Sequence, residues 1–460
     1  MTPAPCLRRR WCSIERRGRL KGLPDAEDLI KRAGGTGYFR ADDVDPVADI
    51  MWKEGTAPGG RWDALAHAHM SLPDWFQQGL DPLDTAYAEQ QLRLWQLVAG
   101  VDRPYVAGED EKEAPIGDVD PVRLPGYYIR RDAGAVLAAS DHVLATGMLL
   151  KHSGLSPGDW ALEYGAGYGQ TALALARLGV NVDTVDISST FCGYVQSQAD
   201  FFKVALRAHQ GEFGMNPRPG EKYKLIWFYE SFHHCLGFQQ LVRDLPGLLA
   251  EGGRVILAGE PIVEREYAAV PYPWGLRLHS EVVAVVRRFH WFELGFSEDF
   301  LYQLFTHAGF AIERIRCEPS LFGRLYVCER RPAELHIGRL WLPPVLEEGW
   351  HAPEADGRWT RAESRLALDP QAVAGHFELD LSNPLGSTQR VTVQSGDHQE
   401  TIKLASGERH TAHWSCTGQR WLHIRCKTRP AAFMSRVFRG DSRELGVFVR
   451  RLRYVPGNCG

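Results

Sequence analysis

The spacing of apolar residues changes twice along this chain of 460 residues. In the first third, residues 84–100 and 135–152 carry apolar side chains every three to four positions, which predicts amphipathic helices. The acidic, proline-broken residues 109–120 between them predict a loop. We therefore expect a helical region over residues 26–155, preceded by a basic tail at residues 1–25 with little structure.

From residue 156, short apolar runs alternate with segments of helical spacing. The runs predict strands at residues 160–164, 182–185, 224–229 and 254–259, and the segments between them predict helices at 170–178, 189–208 and 239–249. After an irregular stretch, a helix is expected at 298–308 and two closing strands at 312–317 and 325–329. This succession predicts an α/β fold with a doubly wound sheet over residues 156–332.

Beyond residue 349 the period of the apolar positions drops to two. Phe377, Leu379 and Leu381 alternate with polar residues, and similar runs occur at 391–393, 422–426 and 447–449. Glycine-containing turns separate these runs. The pattern predicts a C-terminal β-sandwich, which we assign to residues 346–456.

Charge and cysteine usage exclude several classes of protein. The 53 basic and 57 acidic residues give a net charge of -4, so nucleic acid is not an expected partner. No apolar run approaches the roughly 20 residues of a membrane-spanning helix, and no apolar segment follows the basic N-terminus as in a secretory signal. The nine cysteines form no C-x-x-C pair, which argues against a disulfide framework or zinc knuckle. We expect a cytoplasmic protein.

The most informative segment is a glycine turn between the first predicted strand and the following helix. Gly165, Gly167 and Gly169 would let the backbone bend and a nucleotide-like cofactor approach the N–H groups at the helix start. In the dinucleotide fingerprint the third glycine would fall at Gln170, so the spacing disfavours NAD. Asp186 ends the next predicted strand, where a carboxylate can accept hydrogen bonds from a ribose diol. A glycine-rich turn without a ligand is the alternative.

Glu163 followed by these glycines resembles the first motif of the class I S-adenosylmethionine-dependent methyltransferases. Residues 223–234 resemble the fourth-strand motif of that family, and residues 249–257 resemble its glycine turn and fifth strand. The resemblance covers roughly residues 155–330 and implies a Rossmann-like methyltransferase sheet with S-adenosylmethionine as the cofactor. It implies cofactor contacts from a set of residues in and after the turn: Glu163, Tyr164, Gly165, Ala166, Gly167, Gly169, Asp186 and Ile187. Where the family has a third strand and a polar adenine contact, this chain offers Phe213 for stacking on adenine.

His233 and His234 follow the fourth predicted strand, at the sheet edge where ligands gather. A histidine there can act as the general base for a hydroxyl acceptor, or can simply pack beside the cofactor. Glu230 at the same edge could hold the cofactor's ammonium group or orient a histidine, and Glu260 has the corresponding place after the fifth strand. A solvated surface glutamate is the alternative for both. Because adjacent residues rarely converge on one ion, no metal site is expected.

Aromatic residues cluster at 271–279 and 289–296, after the fifth strand. We expect this insertion to cover the acceptor pocket, with Tyr272, Trp274 and His279 contacting the acceptor together with Glu260. The alternative is that these side chains form a core against the N-terminal helices.

Residues 349–354, 357–360 and 441–447 resemble β-sandwich modules of bacterial glycosyltransferases and other surface-polysaccharide assembly proteins. The resemblance implies O-methylation of a carbohydrate or glycolipid hydroxyl in surface-polysaccharide biosynthesis. A sandwich that only stabilises or dimerises the enzyme is the alternative. Two alternative functions stay open: methylation of another natural product at O, N or C, and a non-catalytic scaffold. The acceptor is expected to be a small molecule or a glycan, and the protein could form a homo-oligomer.

Overall fold

The computed structural model describes residues 26–111, 113, 119–131, 134–264, 267–271, 273–317, 320, 322–330, 334–336, 349–352, 354, 356–368, 375–415, 421–431 and 443–456. The tail expected at residues 1–25, Tyr272 and residues 441–442 lie outside this set. The chain divides into two compact units, Met1–Leu301 with Ile315–Leu325 and Tyr302–Arg314 with Tyr326–Gly460. In the described part of the chain, every helix is too short or too polar to traverse a bilayer.

The N-terminal region contains five α-helices and two short strands among its described residues. Its elements are α1 (Ala26–Thr36), β1 (Tyr38–Phe39), α2 (Val44–Asp49), β2 (His69–Met70), α3 (Thr85–Ala99), α4 (Ala107–Asp110) and α5 (Ala135–His152). Helices are present at both expected positions, as α3 and α5, but α5 is not amphipathic as predicted, because it exposes Val136, Leu137 and Val143. Helix α3 buries Leu94, Trp95 and Val98 on one face and ends at Gly100, whose φ of 71° is left-handed.

A parallel sheet follows. It contains β3 (Trp160–Tyr164), β4 (Asn181–Asp186), β5 (Leu206–Gln210), β6 (Tyr223–Tyr229) and β7 (Leu249–Ala258), in the order β7-β6-β3-β4-β5. The connecting helices are α6 (Gln170–Ala176), α7 (Ser189–Phe202) and α8 (Phe238–Leu248). Leu162 of β3 lies between Asp183 on one side and Ile226 on the other, so β3 is central and the strand order reverses beside it. The mixed α/β fold with a parallel sheet is confirmed.

The helix predicted over residues 189–208 is wrong beyond residue 202. Lys203 adopts a left-handed conformation, with φ of 53°, and ends α7. The chain then forms β5, where Leu206 pairs with Val182 of β4. The third strand of the sheet is therefore present, immediately before the loop that contains Phe213.

The stretch after β7, expected to be irregular, contains β8 (Ile262–Val263), β9 (Trp274–Leu276), α9 (Ser280–Phe289) and β10 (Leu294–Ser297). The three strands form a small sheet in the order β8-β10-β9. This insertion packs on the N-terminal region: Trp95 Nε1 donates to the His290 carbonyl at 2.8 Å and Trp52 Nε1 to the Ala284 carbonyl at 3.0 Å. Next come α10 (Glu298–His307), β11 (Phe310–Ile315) and β12 (Leu325–Arg330), near the predicted positions.

The remaining strands lie in the second unit and form mainly antiparallel sheets. They are β13 (Glu334–His336), β14 (Arg358–Trp359), β15 (Glu363–Ala367), β16 (Gly375–Ser382), β17 (Gln389–Ser395), β18 (His398–Leu404), β19 (Arg409–Ser415), β20 (Trp421–Cys426), β21 (Arg429–Pro430), β22 (Glu444–Leu445) and β23 (Phe448–Pro456). One sheet has the order β13-β23-β16-β19, with β14 also paired to β23, and another has the order β15-β20-β17-β18. Leu379 of β16 and Val393 of β17 belong to one buried apolar cluster. The C-terminal region is rich in β-strands, and its arrangement as a β-sandwich stays a prediction.

Candidate functional site

A cavity of about 580 Å³ opens at the carboxyl edge of the parallel sheet, within the first unit. Its wall includes residues that follow four strands: Gly165 after β3, Asp186 at the end of β4, Phe213 after β5 and Glu230 after β6. Carboxyl ends of parallel strands meet at one edge of a sheet, and the reversal of strand order there leaves a crevice. The volume lies in the range of roughly 300–1,000 Å³ that is usual for small-molecule sites.

The glycine turn has a backbone that only glycine adopts readily. Gly165, Gly167 and Gly169 have φ values of 68°, 50° and 65°. A Cβ on Gly165 would lie 2.5 Å from Ser231 Cβ, whereas a Cβ on Gly167 would meet no atom within 4 Å. Gly167 also lines the cavity, so its bare backbone leaves room for a ligand against the turn.

Asp186 connects this turn with the start of α7. Its Oδ2 accepts a hydrogen bond from Gly167 N–H and its Oδ1 accepts one from Ser188 N–H, both at 2.9 Å. Burial raises the pKa of the Asp186 carboxyl, and the two N–H donors oppose that rise. A carboxylate offers about four lone-pair sites, so both oxygens can also accept hydrogen bonds from a ribose diol. The turn and Asp186 therefore fit an adenosyl group.

Several residues assigned to the cofactor lie beneath the cavity wall rather than on it. Glu163 Oε1 accepts a hydrogen bond from Trp227 Nε1 at 2.7 Å, and burial raises the pKa of this carboxyl to about 8. Tyr164 donates its hydroxyl to the Met215 carbonyl at 2.8 Å. The Ala166 carbonyl accepts from Gly169 N–H at 2.8 Å. These four residues shape the turn, while Ile187 and Phe213 are on the wall with the other assigned residues.

Glu230 stands on the cavity wall in an unusual backbone conformation, with φ of 51°. Such a left-handed non-glycine residue is uncommon and concentrates at functional sites. About a third of its side chain is exposed, and its Oε2 lies 3.7 Å from His142 Nδ1. Partial burial, together with the neighbouring carboxylates Glu260 and Glu293, raises the pKa of Glu230 to about 8 against the opposing charge of Arg277.

Glu260 organises the turn that follows β6. Its Oε1 accepts hydrogen bonds from Ser231 N–H and Phe232 N–H at 2.9 Å each, and its Oε2 lies 2.8 Å from His233 Nδ1. Neither Glu260 nor His233 is among the lining residues of the cavity. Burial, followed by the charge of His234, lowers the pKa of His233. Burial favours the neutral form of Glu260, but His233 and the backbone donors prevail and lower its pKa.

His234, in contrast, lines the cavity. Its Nδ1 lies 3.1 Å from Glu111 Oε2. Burial disfavours the imidazolium, yet the carboxylates of Glu293 and Glu111 outweigh this and raise the pKa of His234 to about 9. In the ligand-free protein this ring is therefore charged near neutral pH, which leaves it without a vacant base nitrogen.

Sequence reasoning missed the wall contributed by the N-terminal region. Tyr105 and Glu111 line the cavity, and the Tyr105 hydroxyl donates to Glu111 Oε1 at 2.8 Å. The same oxygen accepts from Phe292 N–H at 2.6 Å, across 181 positions of sequence. No local pattern marks these two residues, because their place depends on the packing of the insertion.

The aromatic insertion contributes one side chain to the cavity wall and another to a buried core. Trp291 lines the cavity. Trp274 is instead buried in a core, with its ring 4.9 Å from Tyr87 and its Nε1 donating to the Pro82 carbonyl at 2.8 Å. Trp274 and His279 are not among the lining residues. Burial, reinforced by Arg277, lowers the pKa of His279 to about 4.

Residues 162–257 match a family model described as a methyltransferase domain. This match covers β3 to β7, including the glycine turn and Asp186. The chain carries a class I S-adenosylmethionine-dependent methyltransferase domain. The protein is an enzyme of that class, and S-adenosylmethionine is its cofactor.

Comparison with solved structures gives low similarities. The YcgJ protein from Bacillus subtilis is 22% identical, with 38% of this chain and 71% of that chain covered and a TM-score of 0.32. A methyltransferase from Aquifex aeolicus is 14% identical, with 46% of this chain and 98% of that chain covered and a TM-score of 0.32. Magnesium protoporphyrin IX methyltransferase from Synechocystis, solved with bound SAH, is 15% identical. The match covers 44% of this chain and 89% of that chain, with a TM-score of 0.32. No curated protein matches the chain significantly. These similarities indicate no acceptor.

Proposed function

We propose that this methyltransferase transfers a methyl group to a hydroxyl of a carbohydrate or glycolipid during surface-polysaccharide biosynthesis, with Glu230 as the general base. The observation that carries the proposal is the position of Glu230, a carboxyl group on the cavity wall with a pKa near 8. A base of that pKa is partly ionised at neutral pH, which suits proton removal from an acceptor.

The cofactor would lie against the glycine turn. Backbone N–H groups and the open face of Gly167 would receive it, Asp186 would accept hydrogen bonds from its ribose, and Phe213 with Ile187 would flank its adenine. When bound, S-adenosylmethionine supplies an electrophilic methyl group on sulfur. The residues of the wall would align the acceptor oxygen for in-line attack, and this positioning provides most of the rate enhancement.

Glu230 is a better candidate for the base than either histidine. His233 is not on the cavity wall, and its Nδ1 is held by Glu260. His234 is on the wall, but it lies between the carboxylates of Glu111 and Glu293. Among the described residues, the cation nearest to Glu230 is the ring of His142, whose Nδ1 is 3.7 Å from Glu230 Oε2 and whose pKa is lowered by burial.

Aromatic side chains support a sugar acceptor. Tyr105 and Trp291 form part of the wall contributed from outside the parallel sheet, and flat aromatic faces suit the apolar face of a sugar ring. The C-terminal region, proposed to be an accessory β-sandwich at residues 346–456, would bind or orient a longer glycan. Its resemblance to modules of polysaccharide-assembly proteins supports this role.

Methylation of an amine in another natural product is the second candidate. Glu111, Glu113, Glu212 and Glu230 all line the cavity and would attract a cationic acceptor.

We also propose a cytoplasmic location. Five described cysteines, which form no disulfide, are consistent with a reducing compartment: Cys192, Cys235, Cys317, Cys328 and Cys426.

The deciding experiment is transfer of a labelled methyl group. Surface-polysaccharide fractions and a panel of amines are offered separately to the wild type, Glu230→Gln and Glu251→Gln, the last being an exposed residue of β7. We expect label in the polysaccharide fraction, a loss of about 10²–10⁴-fold in rate for Glu230→Gln and no change for Glu251→Gln. Label in amines alone would reject the carbohydrate acceptor.

A further inference from the structure

Three side chains with metal-binding atoms converge beside the cavity. His233 and His234 come from the turn after β6, and Glu293 immediately precedes β10. One donor atom from each lies within 4.8 Å of the others. The sequence predicted no metal site, because adjacent residues rarely converge on one ion. The folded insertion brings Glu293 to the two histidines as a third potential ligand.

The spacing of these atoms suits an ion between them better than a direct hydrogen bond. His233 Nε2 and Glu293 Oε2 are 3.6 Å apart, beyond the usual hydrogen-bond range of roughly 2.7–3.2 Å. Two ligands bonded to one tetrahedral Zn²⁺ at about 2.1 Å are separated by roughly 3.4 Å. The observed separation is close to that value.

The surroundings of His233 resemble those of a ligating histidine. Metal-bound imidazoles commonly have their second nitrogen held by a carboxylate, which fixes the ring and its tautomer. Here His233 Nδ1 lies 2.8 Å from Glu260 Oε2, and Glu260 is itself held by the N–H groups of Ser231 and Phe232. The Nε2 atom of His233 is thereby aimed at Glu293.

The charges around the cluster also favour a divalent cation. Three carboxylates with side chains no more than 9% exposed surround the two rings, namely Glu111, Glu260 and Glu293. Arg277 contacts Glu293, as an outer hydrogen-bond donor to a ligating carboxylate would. Buried carboxylates are costly unless compensated. Once His234 has lost its proton, as metal ligation requires, a divalent ion would balance the two negative charges that Arg277 leaves.

We propose that His233, His234 and Glu293 bind a divalent transition-metal ion of the Zn²⁺ type, with Glu111 held against the His234 ring. Imidazole and carboxylate donors are those that Zn²⁺ accepts in proteins. His234 and Glu111 line the cavity, so the ion would stand at the wall where the acceptor enters. Any role in polarising an acceptor hydroxyl rests on the proposed function, whereas the binding site itself does not.

The test measures zinc binding without cofactor or acceptor. A second cluster, His376, Glu378 and His413, is partly exposed in the C-terminal region and could bind zinc weakly. All proteins therefore carry His413→Ala. After treatment with a chelator, the protein is titrated with Zn²⁺ against a chelating indicator, and the bound metal is counted by elemental analysis after gel filtration.

We expect one Zn²⁺ per chain. Glu260→Gln should weaken binding by roughly 10–100-fold through loss of the outer carboxylate. His234→Gln and Glu293→Gln should weaken it further, and Glu212→Gln, a carboxylate elsewhere on the wall, should leave it unchanged. Circular dichroism and S-adenosylmethionine binding report whether each variant folds.

A protein that binds S-adenosylmethionine but retains no zinc, or a folded Glu293→Gln variant with unchanged zinc affinity, would overturn the proposal. Zinc bound at one per chain by a protein without transferase activity would leave the metal site standing. That result would count against the proposed acceptor chemistry alone, so the two proposals fail in different ways.

Discussion

Replacing Asp186 by alanine tests the cofactor site most directly. The carboxylate accepts one N–H bond on each oxygen at 2.9 Å, and each oxygen keeps a further lone pair for a ribose hydroxyl. Loss of that pair of charge-assisted bonds, offset by restored hydration of the hydroxyls, should cost about 1–3 kcal/mol of binding free energy. We therefore expect Asp186→Ala to raise the dissociation constant for S-adenosylmethionine by roughly 5- to 150-fold, measured by isothermal titration calorimetry.

Asp183→Ala provides a matched control on the same strand. Asp183 is fully buried, lies 3.1 Å from both His209 Nε2 and the Tyr223 hydroxyl, and is not among the lining residues. Both variants should lose stability in urea, since each leaves buried donors without an acceptor. Only Asp186→Ala should lose cofactor affinity. Equal affinity losses in the two variants, or none in Asp186→Ala, would refute a ribose contact by this carboxylate.

Three further predictions concern the turn and two carboxyl groups. Alanine at Gly165 or Gly167 forces a non-glycine residue into the left-handed conformation, which costs about 1–2 kcal/mol of stability. Gly165→Ala should lower the free energy of unfolding in urea further, because its Cβ meets Ser231. Gly167→Ala, whose Cβ meets no protein atom, should mainly lose affinity for the cofactor in calorimetry. The pKa of Glu230 near 8 predicts a kcat/KM that rises with pH through that value, and a flat profile in Glu230→Gln would support its role as base. The pKa of Glu163 is raised from 4.5 to about 8, so the folded protein keeps a proton that the unfolded chain releases between these pH values. The free energy of unfolding should therefore fall as the pH rises from 4.5 to about 8. In urea titrations at several pH values, Glu163→Gln should show a smaller fall than the wild type.

The parts of the fold that depend on local pattern could be predicted from the sequence. The glycine turn and Asp186 stand where they were expected, because a strand, a glycine bend and a second strand fix their relative positions. Strand β5 was missed because Ala205 and Ala208 continue a helical composition, while the left-handed Lys203 that ends α7 carries no strong sequence signal.

The outer wall of the cavity could not be predicted in the same way. Glu111 reaches it only through hydrogen bonds to Tyr105 and to Phe292, which is far away in the sequence. The role of Glu260 in holding the β6 turn similarly depends on the pairing of neighbouring strands. Such contacts are properties of tertiary packing, which hydrophobic periodicity does not specify.

The hydrogen bond from Trp95 to His290 joins positions 195 residues apart. A ribosome adds about 5–20 residues per second, so roughly 10–40 s separate the synthesis of these two residues. During that interval the apolar face of α3 has emerged without the insertion that covers it. We therefore expect the nascent chain to depend on chaperones until translation passes β10, and N-terminal fragments that end before the insertion to aggregate when expressed alone.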